Sequence, residues 1–202
     1  MHAQHNDQSH LNQISKENIV LGYSKIIQEH IDPGWDPFYL NFMFNHIPGS
    51  QITKMEVMRQ QVTRVHDILT RHTVKQREAT AWRHLRPIFI GCHDLPVWKH
   101  DKELVRNLIV NDGLHFNAIA LTPKPARSDM PTKMQYLLWG RQSRLTVPLN
   151  EHLLRKQRFY QNDVLSRIHA TPIVATPERI TDYMLKTFKH GRVGSDSVEV
   201  WK

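Results

Sequence analysis

The clearest alternation of apolar and polar residues lies in segment 114–121, where His115 and Asn117 alternate with apolar neighbours. Because successive side chains of a strand point to opposite faces, this period-two pattern predicts a strand that carries His115 and Asn117 on one face. Ile119 and Leu121 continue that face as apolar residues. We therefore place any polar site at the beginning of the strand, where two potential ligands lie side by side and can hold one metal ion.

The remaining pattern predicts a mixture of strands and helices. Apolar runs predict further strands at 38–45, 87–94 and 168–174, with an edge strand at 198–201. Apolar residues spaced three and four apart predict helices at 17–30, 53–69 and 177–190. Thr53 and Glu56 form a capping-box pattern at the start of the second helix. Segment 108–110 is interpreted as a hairpin arm that turns into the central strand, with a short helix capped by Asp101 as the alternative.

These elements predict an α+β fold. We expect one domain over residues 17–202, built on a central antiparallel sheet with helices on one face and the polar site on the other. Residues 1–16 are rich in Gln, Asn and His and are predicted to be a disordered lead-in.

Composition narrows the class of partner. The 202-residue chain has 27 Lys and Arg against 19 Asp and Glu, a net charge of +8, which favours a polyanion such as nucleic acid. No apolar run approaches the length of a membrane span, about 18 residues, and the N-terminus has no apolar core of a secretory signal. The single cysteine, Cys92, fits a reducing compartment. We predict a cytoplasmic (or host nucleoid) protein with no membrane association.

A basic segment at residues 71–86 is the candidate nucleic-acid surface. Lys75, Arg77, Arg83 and Arg86 lie there, with aromatic side chains among them. Such a run can bind a phosphate backbone and stack a base. The alternative is an ordinary solvated helix face.

A second chemical group lies on the last predicted helix, where Tyr183 and Lys186 are three residues apart and share a face. A tyrosine with a pKa of about 10 is a poor nucleophile at neutral pH and needs a nearby cation or base. The alternative for Tyr183 is an ordinary surface tyrosine without a catalytic role. The alternative for His115 is a packed histidine that binds no metal.

Three motifs in this order resemble those of the HUH endonucleases, which include rolling-circle replication initiators, relaxases and transposases. The early strand motif is Phe-Met-Phe-Asn at 42–45, the His-hydrophobic-polar strand is His-Phe-Asn at 115–117, and the Tyr-x-x-Lys helix is at 183–186. The resemblance covers roughly residues 38–190. It implies a ferredoxin-like or RRM-like palm, a Tyr183 nucleophile that forms a 5′-phosphotyrosine, and single-stranded DNA or a DNA hairpin at a replication or transfer origin as substrate. A helicase is the implied partner.

Asn117 departs from the family pattern, which has a second histidine there, although similar families accept Gln. An amide oxygen is a hard, weak ligand that suits Mg²⁺ or Mn²⁺. A third ligand is needed to complete the site. His93 and Asp94, at the end of a strand expected beside 114–121, are the candidates, with Glu103 in reserve.

The predicted function is metal-dependent nicking and joining of single-stranded DNA, which initiates rolling-circle replication or DNA transfer. Tyr183 and Lys186 are the predicted catalytic residues. One alternative is a non-catalytic nucleic-acid-binding module of similar fold, which the departure at Asn117 keeps open. Another is a nuclease that uses a metal-activated water and leaves no tyrosine adduct.

Overall fold

A computed structural model describes residues 3–31, 34–95, 110–126, 142–174, 177–194 and 197–202, with the backbone alone described for 3–15 and 177. The strands are β1 Asp36–Phe44, β2 Ile88–Asp94, β3 His115–Thr122, β4 Leu165–Pro172 and β5 Val198–Trp201. The helices are α1 Ala3–Ile31, α2 Gln51–Thr73, α3 Leu149–Arg155, α4 Gln157–Tyr160, α5 Pro177–Met184 and α6 Lys186–Lys189, with a 3₁₀ helix at Thr80–Leu85.

The strands form one five-stranded sheet in the order β4-β1-β3-β2-β5, and the paired strands are antiparallel. The predicted α+β class with a central antiparallel sheet is confirmed. β3 occupies the middle of the sheet, between β1 and β2. Its register places His115 opposite Asp94 and Asn117 opposite Cys92, so the predicted neighbour of segment 114–121 is also confirmed.

One face of the sheet packs against α2. Met58, Val62 and Leu69, each 0% exposed, form the apolar stripe of this helix, and Phe42 and Phe116 belong to the same buried cluster. These residues follow the period-two and helical spacings in the sequence. The helix starts earlier than predicted because its N-cap is Ser50, whose hydroxyl accepts the backbone N–H of Thr53 at 3.2 Å.

The opposite face of the sheet is also covered, so the prediction of helices on one face alone is wrong. There α1, α5 and α6 pack over the apolar parts of β2 and β3, where Ile90, Ile119 and Leu121 are 0% exposed. The helical residues of this second core are Val20, Ile27, Met184, Leu185 and Phe188. The physical reason lies in the sequence of β3. Its apolar side chains beyond Asn117 stabilise the fold only when a second layer removes them from water.

Three further boundaries differ from expectation. Helix α1 begins at Ala3, so it includes most of the segment predicted as disordered, because no proline or glycine interrupts the chain before Gly22. β4 begins at Leu165, three residues earlier than predicted. Val110 lies in a short turn, Val110–Gly113, rather than in a strand. The rest of the proposed hairpin arm and Glu103 lie outside the described residues.

None of the helices in the described part of the chain combines the length and apolar character that a membrane span requires.

A buried polar cluster lies between α2, α3 and α4. The hydroxyl of Tyr160 is 3.0 Å from His72 Nδ1 and 2.9 Å from His152 Nε2, and these two ring nitrogens are 3.3 Å apart. Burial, followed by the nearby His72 and Lys156, lowers the pKa of His152 to about 4. Burial likewise lowers the pKa of His72. The His152 imidazole is therefore neutral at pH 7.

This cluster predicts acid sensitivity. The folded pKa of His152, about 4, lies below the unfolded value of about 6.5, so the unfolded chain binds more protons between these pH values. The stabilisation is complete above the unfolded pKa and is lost as the pH falls towards the folded pKa. We predict that His152→Gln reduces the drop in unfolding free energy between pH 7.5 and pH 5 by about 1 kcal/mol, measured by urea titration. An equal drop in both proteins would contradict this assignment.

Gly91 of β2 lies in close contact with the neighbouring strand β3. A Cβ at this position would lie 2.6 Å from the Phe116 ring, 2.7 Å from the carbonyl oxygen of Asn117 and 2.8 Å from Ala118 Cβ. We predict that Gly91→Ala lowers the free energy of unfolding by about 2 kcal/mol through overpacking. The control is Gly22→Ala in α1, where nothing lies within 4 Å and helix propensity should give a gain of about 0.5–1 kcal/mol. Urea unfolding that shifts both variants in the same direction would contradict the packing argument.

Candidate functional site

The candidate site is built around the carboxylate of Asp94, which is 1% exposed at the end of β2. Its Oδ2 atom lies 3.1 Å from His115 Nε2, 2.8 Å from Lys186 Nζ and 3.0 Å from Asn117 Nδ2. Its Oδ1 atom accepts a hydrogen bond of 2.8 Å from Thr187 Oγ1. The sheet and the C-terminal helices thus meet at one carboxyl group.

Local structure explains why these side chains converge. Asp94 and His115 are paired across β2 and β3, and directly paired residues of antiparallel strands point to the same face. On the helical side, α5 ends at Met184, and Leu185 has φ −90° and ψ 11°. This interruption lets both Lys186 and Thr187 reach Asp94 from consecutive positions.

The charge state of Asp94 follows from its partners. Burial alone would raise the pKa of this carboxyl, but the hydrogen bonds from His115, Lys186 and Thr187 lower it to about 2. The group is therefore a carboxylate at neutral pH. A buried carboxylate without such partners would be strongly disfavoured.

The surroundings of His115 favour its charged form. Its Nδ1 atom faces the carbonyl oxygen of Gly113 at 3.0 Å, and its Nε2 atom faces Asp94. Both partners are acceptors, so the imidazolium, which has two N–H donors, matches the surroundings best. Burial opposes this charge, but the contacts with Asp94 and Gly113 raise the pKa of His115 above its ordinary value. Burial likewise opposes the charge on Lys186, while Asp94 raises its pKa.

Asn117 acts as a hydrogen-bond donor to Asp94, and its amide oxygen points elsewhere. Because the carboxylate of Asp94 only accepts, the NH₂ group of Asn117 must face it, which leaves Oδ1 to accept from Asn41 Nδ2 at 2.8 Å. Asn41 is paired with Asn117 across β1 and β3. The oxygen that the sequence analysis assigned to a metal is therefore bonded to Asn41.

The two candidates for a third ligand are separated by the pleat of β2. His93 points to the α2 face, where its Nε2 atom lies 2.8 Å from the carbonyl oxygen of Met55 and its ring packs edge-on against Phe116. The structure brings Asp94 to the site and leaves His93 on the opposite face of the sheet. Within the described ranges, no three His, Cys, Asp or Glu side chains are grouped to hold a metal ion.

Tyr183 lies beside this group, and its side chain is accessible, with 52% of the residue surface exposed. The ammonium of Lys186 is 4.6 Å from the centroid of the Tyr183 ring and also contacts Asp94. The ring of Tyr39 packs edge-on at 6.1 Å. One cation thus touches both the predicted nucleophile and the buried carboxylate.

The predicted basic surface lies elsewhere. Arg83 and Arg86 precede β2, whereas Asp94 ends it; this seven-residue strand separates them by about 20 Å at about 3.3 Å per residue. Lys75 and Arg77 follow the carboxyl end of α2, and Arg77 bonds to Glu78 at 2.6 Å. These four residues therefore do not contact the candidate site.

Three groups near the site escaped the sequence analysis. Thr187 is the residue after the Tyr-x-x-Lys motif. Asn41 is a polar residue within the otherwise apolar β1, and this departure from the apolar pattern is a signal that the sequence offered. Arg167 and His169 lie on the exposed edge strand β4, paired with Met43 and Asn41 respectively. Their place on the face of the site follows only from the register between β4 and β1, which the sequence does not determine.

No family model, curated protein or solved structure matches this chain. The resemblance to HUH endonucleases therefore depends on the three sequence motifs.

The contact between Asp94 and His115 predicts an effect on the titration of His115 that can be measured. We predict that Asp94→Asn lowers the pKa of His115 below that of an ordinary histidine, because burial then acts without the carboxylate that opposes it. Histidine NMR resonances followed against pH give this value directly. Thr187→Val is the control, since it removes one hydrogen bond from Asp94 but keeps its charge, and it should shift the His115 pKa less. An unchanged titration in Asp94→Asn would contradict the assigned ion pair.

Proposed function

We propose that this chain nicks and rejoins single-stranded DNA, with Tyr183 as the nucleophile, in the initiation of rolling-circle replication or DNA transfer. The observation that carries the proposal is the position of Lys186, which contacts both the exposed Tyr183 ring and the Asp94–His115 pair. The Tyr183 ring, the Lys186 ammonium and the Asp94–His115 pair are thus adjacent, and the order of the motifs that carry them resembles that of the HUH endonucleases.

The proposed reaction exchanges one phosphodiester for another. The phenolic oxygen of Tyr183 attacks the scissile phosphorus, the bond to the 3′-oxygen breaks, and a 5′-phosphotyrosine and a free 3′-hydroxyl form. The phenol loses a proton and the leaving oxygen gains one, so no water or redox partner is consumed. Lys186 stabilises the phenolate. The reverse reaction rejoins the strand.

The donor set fits the hard divalent cation that the resemblance implies. Asp94 Oδ2 and His115 Nε2 are 3.1 Å apart, so both atoms would be available to one ion. Asp94, His115 and, after rotation of its amide, Asn117 would hold Mg²⁺ or Mn²⁺. The bound ion would supply Lewis-acid polarisation of the scissile phosphate.

The site opens onto a polar part of the sheet that suits a nucleic-acid strand. Arg167 and His169 are exposed on β4, and their pairing partners Met43 and Asn41 show that they share the face of the site. A net charge of +8 favours a polyanion over a neutral substrate.

One observation favours the non-catalytic alternative. Asp94 already has four polar partners from its own chain, and the Asn117 oxygen faces Asn41. A binding module that uses these contacts only to hold its fold would have no need of a metal. Salt-sensitive DNA binding without divalent-ion binding in a Mn²⁺ titration would favour this function.

The direct test is a covalent adduct. The wild-type chain, incubated with Mn²⁺ and a labelled pool of single-stranded oligonucleotides, should give a protein–DNA adduct on denaturing gels. Tyr183→Phe should give none, whereas Tyr23→Phe on α1 should leave the yield unchanged. Lys186→Met should slow adduct formation by about 10- to 100-fold, because the phenolate loses its neighbouring cation. Strand cleavage without an adduct would instead indicate a metal-activated water, and equal adduct from Tyr183→Phe would refute the role of Tyr183.

A further inference from the structure

A second concave site lies at the other end of the sheet. It is a cavity of about 610 Å³ between the end of α1, the 3₁₀ helix Thr80–Leu85 and the first residue of β2. Its size falls within the range of small-molecule sites, about 300–1,000 Å³. The end of β2 that carries Asp94 is about 20 Å away at about 3.3 Å per residue, so this cavity is separate from the candidate active site.

The cavity favours an anion. Arg83, Arg86 and Lys202 line it, against the two carboxylates of Glu29 and Glu78, and Glu78 is already bonded to Arg77 at 2.6 Å. Cationic groups therefore exceed the available negative charge.

Arg86 gives the most specific indication. Its Nε atom is buried and has no hydrogen-bond partner among the described residues. A buried guanidinium N–H without an acceptor costs free energy, and a phosphate oxygen would supply the missing acceptor once the partly exposed side chain of Arg86 turns towards the cavity. A simple solvated basic surface would not leave this donor both buried and unpaired.

An aromatic wall adjoins the cationic groups. Trp35 and His30 both line the cavity, with their rings 5.4 Å apart in an edge-to-face arrangement. This arrangement holds the indole in place while Trp35 remains partly exposed. An indole ring provides a surface for any nucleobase, because stacking does not depend on the base sequence.

We propose that this cavity binds one nucleoside monophosphate unit, with its phosphate at Arg83 and Arg86 and its base against Trp35. The unit comes either from a free nucleotide or from an unpaired nucleotide of a DNA strand, since both present the same phosphate and base. The site does not depend on the chemistry of Tyr183. It gives the protein a second nucleotide contact at the end of the sheet opposite Asp94.

Isothermal titration with the Tyr183→Phe chain tests the site without strand cleavage. The ligands are dAMP, deoxyadenosine, inorganic phosphate and a short single-stranded oligonucleotide. The proposal expects dAMP or the oligonucleotide to bind more tightly than deoxyadenosine and phosphate do. Arg86→Gln should weaken that binding about 10-fold through the lost charge-assisted hydrogen bond, and Trp35→Leu should weaken it at least about 5-fold through lost stacking. Arg158→Gln on α4, an exposed arginine away from the cavity, is the matched control and should change affinity by less than about 2-fold.

Each outcome has a defined meaning. Arg86-dependent binding of dAMP indicates a free nucleotide as a sufficient ligand, and Arg86-dependent binding of the oligonucleotide alone assigns the site to a DNA strand. The side chain of Arg83 is exposed. Arg83→Gln therefore provides a second variant if thermal unfolding shows that Arg86→Gln is not folded. Affinities that respond to Arg83→Gln and Trp35→Leu no more than to Arg158→Gln overturn the proposal. The adduct assay with the wild-type chain is separate, so failure of the nicking mechanism leaves this result interpretable.

Discussion

The buried carboxylate of Asp94 is the constraint on which the organisation of this molecule depends. A charge removed from water must be matched by donors in good geometry, or folding becomes unfavourable. Here the donors come from β3, through His115 and Asn117, and from α6, through Lys186 and Thr187. The junction between the C-terminal helices and the centre of the sheet is therefore electrostatic at one end and apolar along the rest of its length.

That division explains how one face of a sheet serves two purposes. Near Asp94 this face of β1, β3 and β4 carries the polar residues Asn41, Asn117 and His169, while further along β3 the residues Ile119 and Leu121 are fully buried under helices. The apolar part fixes the position of α5 and α6. That position brings Lys186 and Thr187 of α6 to the carboxylate of Asp94. Because Leu185 interrupts the two helices and is itself buried, the placement of Lys186 is tied to core packing.

Much of this arrangement was predictable from the sequence because it depends on local periodicity. The alternation in β3 correctly assigned His115 and Asn117 to one face, and strand order along the chain suggested β2 as their neighbour. Periodicity could not decide between His93 and Asp94, because only the register of two strands determines which consecutive side chain meets His115. Thr187 and Asn41 were equally hidden, since their roles depend on contacts between segments far apart in the chain. The second helical layer was missed for a different reason, because the face that carries His115 and Asn117 was assigned to the polar site although Ile119 and Leu121 continue it as apolar residues.

The short turn before β3 links amino-acid substitutions outside the candidate site to the electrostatics of His115. Asn111 and Asp112 both have φ 55°, a left-handed conformation that these residue types accept more readily than most. Asn111 accepts from the backbone N–H of Ile47 at 2.7 Å and donates to the carbonyl of Asn45 at 2.9 Å. The same turn ends at Gly113, whose carbonyl receives the His115 ring. The carbonyl that helps to raise the pKa of the partly exposed His115 therefore lies in a turn that is hydrogen-bonded to the loop between β1 and α2, so substitutions in that loop would alter the electrostatics of the site without replacing any residue that contacts it.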